Sequence, residues 1–411
     1  MTTTPHRRRR AGAALLALAA AAWMQCAHAQ QALKVGAINP FSGPTAQYGA
    51  EVTRGFEMAA AQANANGGVL GRKVEIVNGD AANPQQGIQA VEMLMNRDKV
   101  DLFAGTYTSG ISNTASDAAM RFNKLYLETI ALAEELTARG LPNYLRTGPN
   151  AGTFAQSTID TLRDLVGPAL KKPMNQLKVW LEHEDSVYGT GIAQKQKRLL
   201  EAFGVKIVGV GAHSARTIDV NDTVLRIKSA APDVLIETGY VADGNLLLKT
   251  MRDQGLKPAA TVFLGTGDTP ETVAALGPAG VEGLLVIAYP RFDVSESFAP
   301  GVKGYYAAYR AKYNVDPIQT QSLTSYVGLQ IVFEAIQAAG STDPEKVRAA
   351  AAKMDKPIGS YINGFGVKFD KDFQNQRAVT TTVQWQAGKV VTVFPKNAVS
   401  PGTKLVSLGR N

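Results

Sequence analysis

The stretch at 37–59, AINPFSGPTAQYGAEVTRGFEMA, runs from an apolar strand end through a loop of Gly, Pro, Ser, Thr and Tyr straight into a helix. Val52, Phe56, Ala59, Ala60 and Ala63 recur at helical spacing on one face, and Gly67 and Gly68 follow as a helix stop. The loop presents hydroxyls and the phenol of Tyr48, with no lysine, histidine or cysteine among them. Groups of this kind can hold a small molecule at a helix mouth, but they offer no activated nucleophile to attack it.

Outward from this unit the same alternation continues. LKVGAI, RKVEIVNGD, VDLFAG and KLYLET read as strands, with helices near 48–66, 84–97 and 110–122 between them. After LRTGPNAG a second series begins: helices near 153–166, 188–203, 220–229 and 243–254 alternate with LKVWLE, VKIVGV, DVLIET and TVFLG. Strands separated by helices imply parallel sheets covered on both faces. The predicted fold class is therefore α/β, with two Rossmann-like lobes built on parallel central sheets. GLLVIAYP and long helices near 297–313 and 320–339 read as a return to the first lobe. AVTTTVQWQ and KVVTVFP, with Gly388 in the turn between them, read as an antiparallel addition to the second. The predicted lobes are 30–149 with 286–376, and 150–285 with 377–411.

Residues 1–29 differ in kind. HRRRR, the apolar AGAALLALAAAAW and a small-residue AHA site before Gln30 have the layout of a secretory signal peptide, and the apolar run is shorter than the about 20 residues of a spanning helix. Cleavage near Ala29, by the general or the twin-arginine route, and a soluble periplasmic product are expected; the bulky WMQ before Cys26 does not suit lipidation. Removing the leader's four arginines from the 43 basic residues leaves 39 against 35 acidic ones. Those charges are scattered rather than gathered on one face, which argues against a nucleic-acid groove. Cys26 is the one cysteine, so the mature chain would carry neither a disulfide nor a thiol nucleophile, even in a compartment that permits disulfides.

In open parallel sheets ligands lie at the C-terminal ends of strands. In the first lobe GTYTSGIS places Thr106, Thr108, Ser109 and Gly110 just before a helix. Unpaired N–H groups and the positive dipole end there suit a carboxylate, although Ser and Thr also serve simply as caps. In the second lobe LEHEDSVYGTG, ETGYVADG and GTGDTPET bring Tyr188, Tyr240 and Asp268 to strand ends. An acid beside aromatic faces suits an ammonium; for Asp268 the competing role is an N-cap ahead of TPET.

Enzyme signatures are mostly missing. GVGAHS at 209–214 has two of the three glycines of a dinucleotide loop, and neither GxxxxGK[ST] nor GxSxG occurs. Beyond the leader only His183 and His213 remain, without zinc-site spacing, and both are expected at the solvated surface. Glu182, Glu184 and Asp185 read as a solvated loop rather than as an acid–base pair. The stripe of Tyr305, Tyr309 and Tyr313 reads as packing. No catalytic residue, metal or cofactor is expected.

These segments resemble the type I periplasmic substrate-binding proteins of ABC importers, specifically the branched-chain amino-acid (Leu/Ile/Val-binding) group. The resemblance rests on VGAINPFSGPTAQYG, NANGGVLGRKVEIVNGDAANPQQ, AGTYTSGISNTASD, EELTARGLPNYLRTGPN, DSVYGTG and LKTMRDQGL, in that order along nearly the whole mature chain. It implies two lobes joined by three crossovers and a monomeric receptor that hands an amino acid or a related aromatic or aliphatic carboxylate to a permease. By resemblance Thr108 and Ser109 hold the ligand carboxylate, Tyr48 closes the pocket from the first lobe, and Tyr188 and Tyr240 meet the ligand from the second. Tyr107 stands where the family has an aliphatic wall. Leu132 stands where it has a hydroxyl or small residue, leaving the backbone of Ala131 and Ala133 as donors. Asp268 is the candidate ammonium partner. A sensor of the same fold and a secreted hydrolase are the competing functions.

Overall fold

Apolar strands that are covered on both faces form the two sheets, as the alternation requires. The computed structural model describes residues 31–408, so the expected leader lies outside the described residues. The first sheet contains β1 (Leu33–Asn39), β2 (Val74–Asp80), β3 (Leu102–Gly105), β4 (Tyr126–Glu128) and β5 (Tyr144–Arg146) in the order β2-β1-β3-β4-β5, all parallel. The helix Ala46–Ala65 packs on it through Val52, Phe56, Ala59 and Ala60. Burial of a side chain the size of Val52 or Phe56 contributes about 2 kcal/mol.

The second sheet contains β6 (Lys178–Glu184), β7 (Lys206–His213), β8 (Val234–Thr238), β9 (Ala260–Leu264), β10 (Leu285–Ala288), β11 (Thr381–Gln386) and β12 (Lys389–Phe394). Its order is β12-β11-β10-β9-β8-β6-β7. β7 to β10 and β6 pair in parallel, while β11 and β12 add antiparallel at one edge, as expected. The β11–β12 hairpin turns through Ala387 and Gly388 at φ 49° and 75°, the left-handed pair that a two-residue hairpin requires.

Three expectations are corrected. GLLVIAYP does not begin the return to the first lobe: β10 pairs with β9 and β11 inside the second sheet, and the chain leaves after it. The helix read near 297–313 begins only at Val302, because Pro300 restricts the residue before it and Gly301 takes φ 89°. β6 and β7 also run further than read, to Glu184 and His213. Glu182, Glu184, His183 and His213 are consequently buried rather than solvated.

The chain crosses between lobes three times: after β5, after β10 and before β11. The helix Gln321–Ala339 returns to pack against Ala46–Ala65. Tyr305, Tyr309 and Tyr313 pack beside that helix pair, with Tyr309 and Tyr313 donating to Glu51 and Glu57 at 2.6 Å each.

Candidate functional site

Strand-end loops from both sheets enclose one cavity of about 30 Å³. Tyr107 and Ser109 follow β3, Ile130 and Leu132 follow β4, and Tyr188, Tyr240, Gly265, Thr266 and Tyr289 follow strands of the second sheet; Gln321 completes the wall. Tyr107, Ser109, Tyr188 and Tyr240 were read as site residues, and the structure brings all four together. The other six lining residues follow from how the loops are held.

Ser109 opens the helix Ser109–Met120. The first intrahelical bond there runs from Ser112 N–H to Thr108 O at 3.0 Å, so the N–H groups of Ser109, Gly110 and Ile111 precede it, at the positive dipole end. Ser109 Oγ accepts the Ala133 N–H at 3.2 Å, which leaves its own O–H to donate to a ligand. Thr108 is half-buried at the N-cap and does not reach the cavity wall.

The loop after β4 is organised from beneath by Glu128. Its Oε1 accepts the N–H groups of Thr106, Thr129, Ile130 and Ala131 at 2.8–2.9 Å, and its Oε2 accepts the hydroxyls of Thr106 and Ser112. Burial pushes the Glu128 carboxyl up to about 7, against the pull of those hydrogen bonds. Buried Arg146 donates to the carbonyls of Ala131 and Ala133 at 3.0 and 2.7 Å. The backbone of Ala131 and Ala133, read as a donor pair for the ligand, is therefore engaged elsewhere, and the alternate residues Ile130 and Leu132 face the cavity.

Aromatic rings span the gap. Tyr48 stacks on Tyr107 with centroids 5.1 Å apart and planes 14° apart. Across the cleft Tyr107 meets Tyr240 at 6.4 Å, and Tyr240 meets Tyr188 at 5.3 Å. Tyr188 donates to Leu264 O at 3.0 Å and Tyr289 to Ile130 O at 2.6 Å. Burial holds the Tyr107 and Tyr188 phenols well above their ordinary pKa, so both stay neutral. Tyr48 backs the wall rather than forming it. Its hydroxyl lies 3.4 Å from Glu271, which also accepts from Gln47 Nε2 at 2.7 Å. Lys195 and Glu134 make a second rim contact between the lobes at 2.7 Å.

Asp268 lies off the wall. It is 3% exposed, and Arg291 Nη1 contacts it at 2.6 Å while Gln319 donates to its other oxygen. It is not the helix cap either: Thr269 accepts the Thr272 N–H in that role. Gln319 Oε1 accepts from Gln321 Nε2 at 2.7 Å, and Gln321 Oε1 is buried without a hydrogen-bond partner. Among the described residues no charged side chain lines the cavity. Tyr289 was missed because β10 was assigned to the wrong lobe, and Gln321 because nothing local marks a helix start 32 residues later as a neighbour of Tyr289. Gly265 and Thr266 sit in a loop the sequence did single out.

Residues 32–389 match the family model described as periplasmic binding protein. A Brucella suis protein named Leu/Ile/Val-binding protein homolog 7 is 37% identical over 386 residues, covering 93% of this chain and 97% of that one. Homolog 8 of Brucella abortus is 35% identical over 367 residues, covering 89% and 91%. Among solved structures, a branched-chain amino acid transporter substrate binding protein of Streptococcus pneumoniae in complex with isoleucine aligns with a TM-score of 0.75 at 22% identity, covering 89% of this chain and 100% of that one. A solute binding protein of an ABC transporter from R. palustris in complex with benzoate aligns with a TM-score of 0.74 at 20% identity, covering 92% and 99%. The two-lobe α/β fold with parallel-dominated sheets is the one these structures share. Matched over nearly all its described residues, the chain belongs to the periplasmic binding protein family.

Proposed function

We propose that the protein is an exported, monomeric receptor that captures a small monocarboxylate lacking an α-ammonium group between its lobes and delivers it to an ABC permease. The observation that carries this reading is the uncharged cavity wall beside an Asp268 already paired with Arg291. Burying an ion costs several kcal/mol unless a partner meets it. A carboxylate would find partners in the Ser109 hydroxyl and the N–H groups that open the Ser109–Met120 helix. An ammonium would find no carboxylate among the lining residues. Ile130, Leu132 and the rings of Tyr107, Tyr188, Tyr240 and Tyr289 suit an aromatic or branched aliphatic body. The fold relatives solved with benzoate and hydroxybenzoates are consistent with that class. Nothing in the cavity sets up covalent chemistry: Ser109 has no adjacent base, so binding and release leave the ligand unchanged. Two lobes joined by connecting segments can part, which is how such a ligand would enter and leave.

A second reading, an α-amino acid, is favoured by the names of the Brucella relatives and by the four tyrosine rings, whose faces attract a cation. Calorimetric titration with leucine against 4-methylpentanoate, and phenylalanine against 3-phenylpropanoate, separates the two, since each pair differs only in the ammonium group. The desamino acid is expected to bind at least about tenfold more tightly. Tighter binding of either amino acid would replace this reading with the second.

A further inference from the structure

We propose that His213, Glu237 and Asp243 form a binding site for one divalent transition-metal ion of the zinc class within the second lobe. The three come from the end of β7, from β8 and from the first turn of the helix Val241–Asp253, and their donor atoms all lie within 4.8 Å of one another. All three are buried.

Strand register makes the cluster electrostatically incomplete. Glu182 on β6 lies directly opposite Glu237 on β8, and the two are 1% and 0% exposed. Like charges opposite each other in a sheet repel, and each buried carboxylate needs a partner. Glu182 has two, Trp180 Nε1 at 2.9 Å and His213 Nδ1 at 3.0 Å. Asp243 accepts the Tyr240 N–H and faces His213 Nε2 at 3.1 Å. Glu237 has none: both its oxygens are enclosed without a hydrogen-bond partner. The space is made by residues without side chains, since a Cβ on Gly239 would lie 2.3 Å from both Asp243 Oδ2 and Glu237 Oε1, and one on Gly211 would lie 2.1 Å from Glu182 Oε2.

Three buried acids, Glu182, Glu237 and Asp243, surround one imidazole here, and of the three Glu237 is the one left without a partner. A divalent ion bound to the trio would supply that partner. One imidazole with two carboxylates suits zinc and its neighbours, whereas magnesium and calcium prefer all-oxygen sets. Donors around zinc stand about 3.4 Å apart at bond lengths near 2.1 Å; His213 Nε2 and Asp243 Oδ2, 3.1 Å apart, already have about that spacing, and Glu237 would close in by at most about 1.4 Å. The outer contacts suit a metal site: with Glu182 taking the Nδ1 proton, Nε2 would give up its own proton and become the ligand, and the Tyr240 N–H orients Asp243. Such an ion would tie together two strand ends and the helix whose N-cap, Tyr240, lines the interlobe cavity.

The test is equilibrium dialysis of EDTA-stripped protein against zinc chloride, with magnesium chloride as the control. One equivalent of zinc and a higher melting temperature are expected for the wild type, and about tenfold or greater weakening in Glu237→Gln and in His213→Gln. No stoichiometric uptake, or equal uptake by wild type and both variants, would overturn the site. Should the variants not fold, anomalous scattering from a zinc-soaked wild-type crystal decides: a peak about 2.1 Å from His213 Nε2 and from Glu237 supports it, and a peak elsewhere, or none, removes it.

Discussion

Glu271 of the second lobe accepts a hydrogen bond from Gln47 of the first at 2.7 Å, at the rim above the Tyr48–Tyr107 stack. A bond this exposed is worth about 1 kcal/mol, and it exists only when the lobes meet. Glu271→Ala is therefore expected to lower ligand affinity about fivefold through the closing equilibrium. The empty protein should melt almost as the wild type does. Calorimetry and a thermal melt read both; unchanged affinity would show that the rim contact does not bias closure.

Ser109→Ala removes the hydroxyl that the proposed carboxylate would meet. A hydrogen bond to a charged group contributes about 1.5–3 kcal/mol, so binding should fall at least about tenfold. The loss should be smaller for the corresponding primary amide, which carries no charge. Equal losses for acid and amide would place the carboxylate elsewhere. Because the Ala133 N–H also loses its acceptor, a fall of about 1 kcal/mol in the stability of the free protein is expected as well.

Arg291→Gln would unpair Asp268. Breaking a buried ion pair from one side costs about 3 kcal/mol, visible as a lower melting temperature. The same change frees a carboxylate near the cavity, so the preference for 4-methylpentanoate over leucine should shrink or invert. A variant that loses stability while keeping its preference would mean that Asp268 cannot reach the ligand.

Glu128→Gln would set an amide among four backbone N–H groups, where one end of the side chain repels what the carboxylate held. Loss of about 2–4 kcal/mol is expected, together with weaker binding, because Ile130 and Leu132 would no longer be held against the cavity. The carboxyl also titrates. Its folded value of about 7 lies above the ordinary 4.5, so between these values the native state binds more protons than the unfolded one. Its contribution is complete below about pH 4.5 and lost as pH rises through 7, a change on the order of 3 kcal/mol. The pH dependence of urea unfolding should lose that component in the variant; identical profiles would refute the assignment.

How far the chain could be read in advance depended on the range of the determining contacts. Tyr107, Ser109, Tyr188 and Tyr240 directly follow strands whose apolar runs are self-evident, so their place at the cleft is a local fact. Leu132 and Ala133 differ in orientation only because Glu128 and Arg146 hold the peptides around them, and nothing near 131–133 in the sequence announces those two charged residues as a buried scaffold. The glycines of GVGAHS, which lack a dinucleotide loop's pattern, serve packing instead. A Cβ on Gly209 would lie 2.1 Å from the Trp180 ring and one on Gly211 equally close to Glu182. Those glycines let β7 approach bulky neighbours on β6, so the strand runs on to His213, beyond the VKIVGV that was read as strand. Tyr289 depended on which sheet received β10, a choice made by pairing with β11 nearly a hundred residues later.

The three passages of chain between the lobes keep the facing walls tethered near one another. A cleft held that way acts like a chelating agent whose two arms share one frame: once one wall has caught a molecule, the other is already at high effective concentration beside it. Much of the entropy of assembling a many-sided grip was thus spent when the polypeptide folded, which lets a solute with only a handful of atoms be retained without any permanent bond.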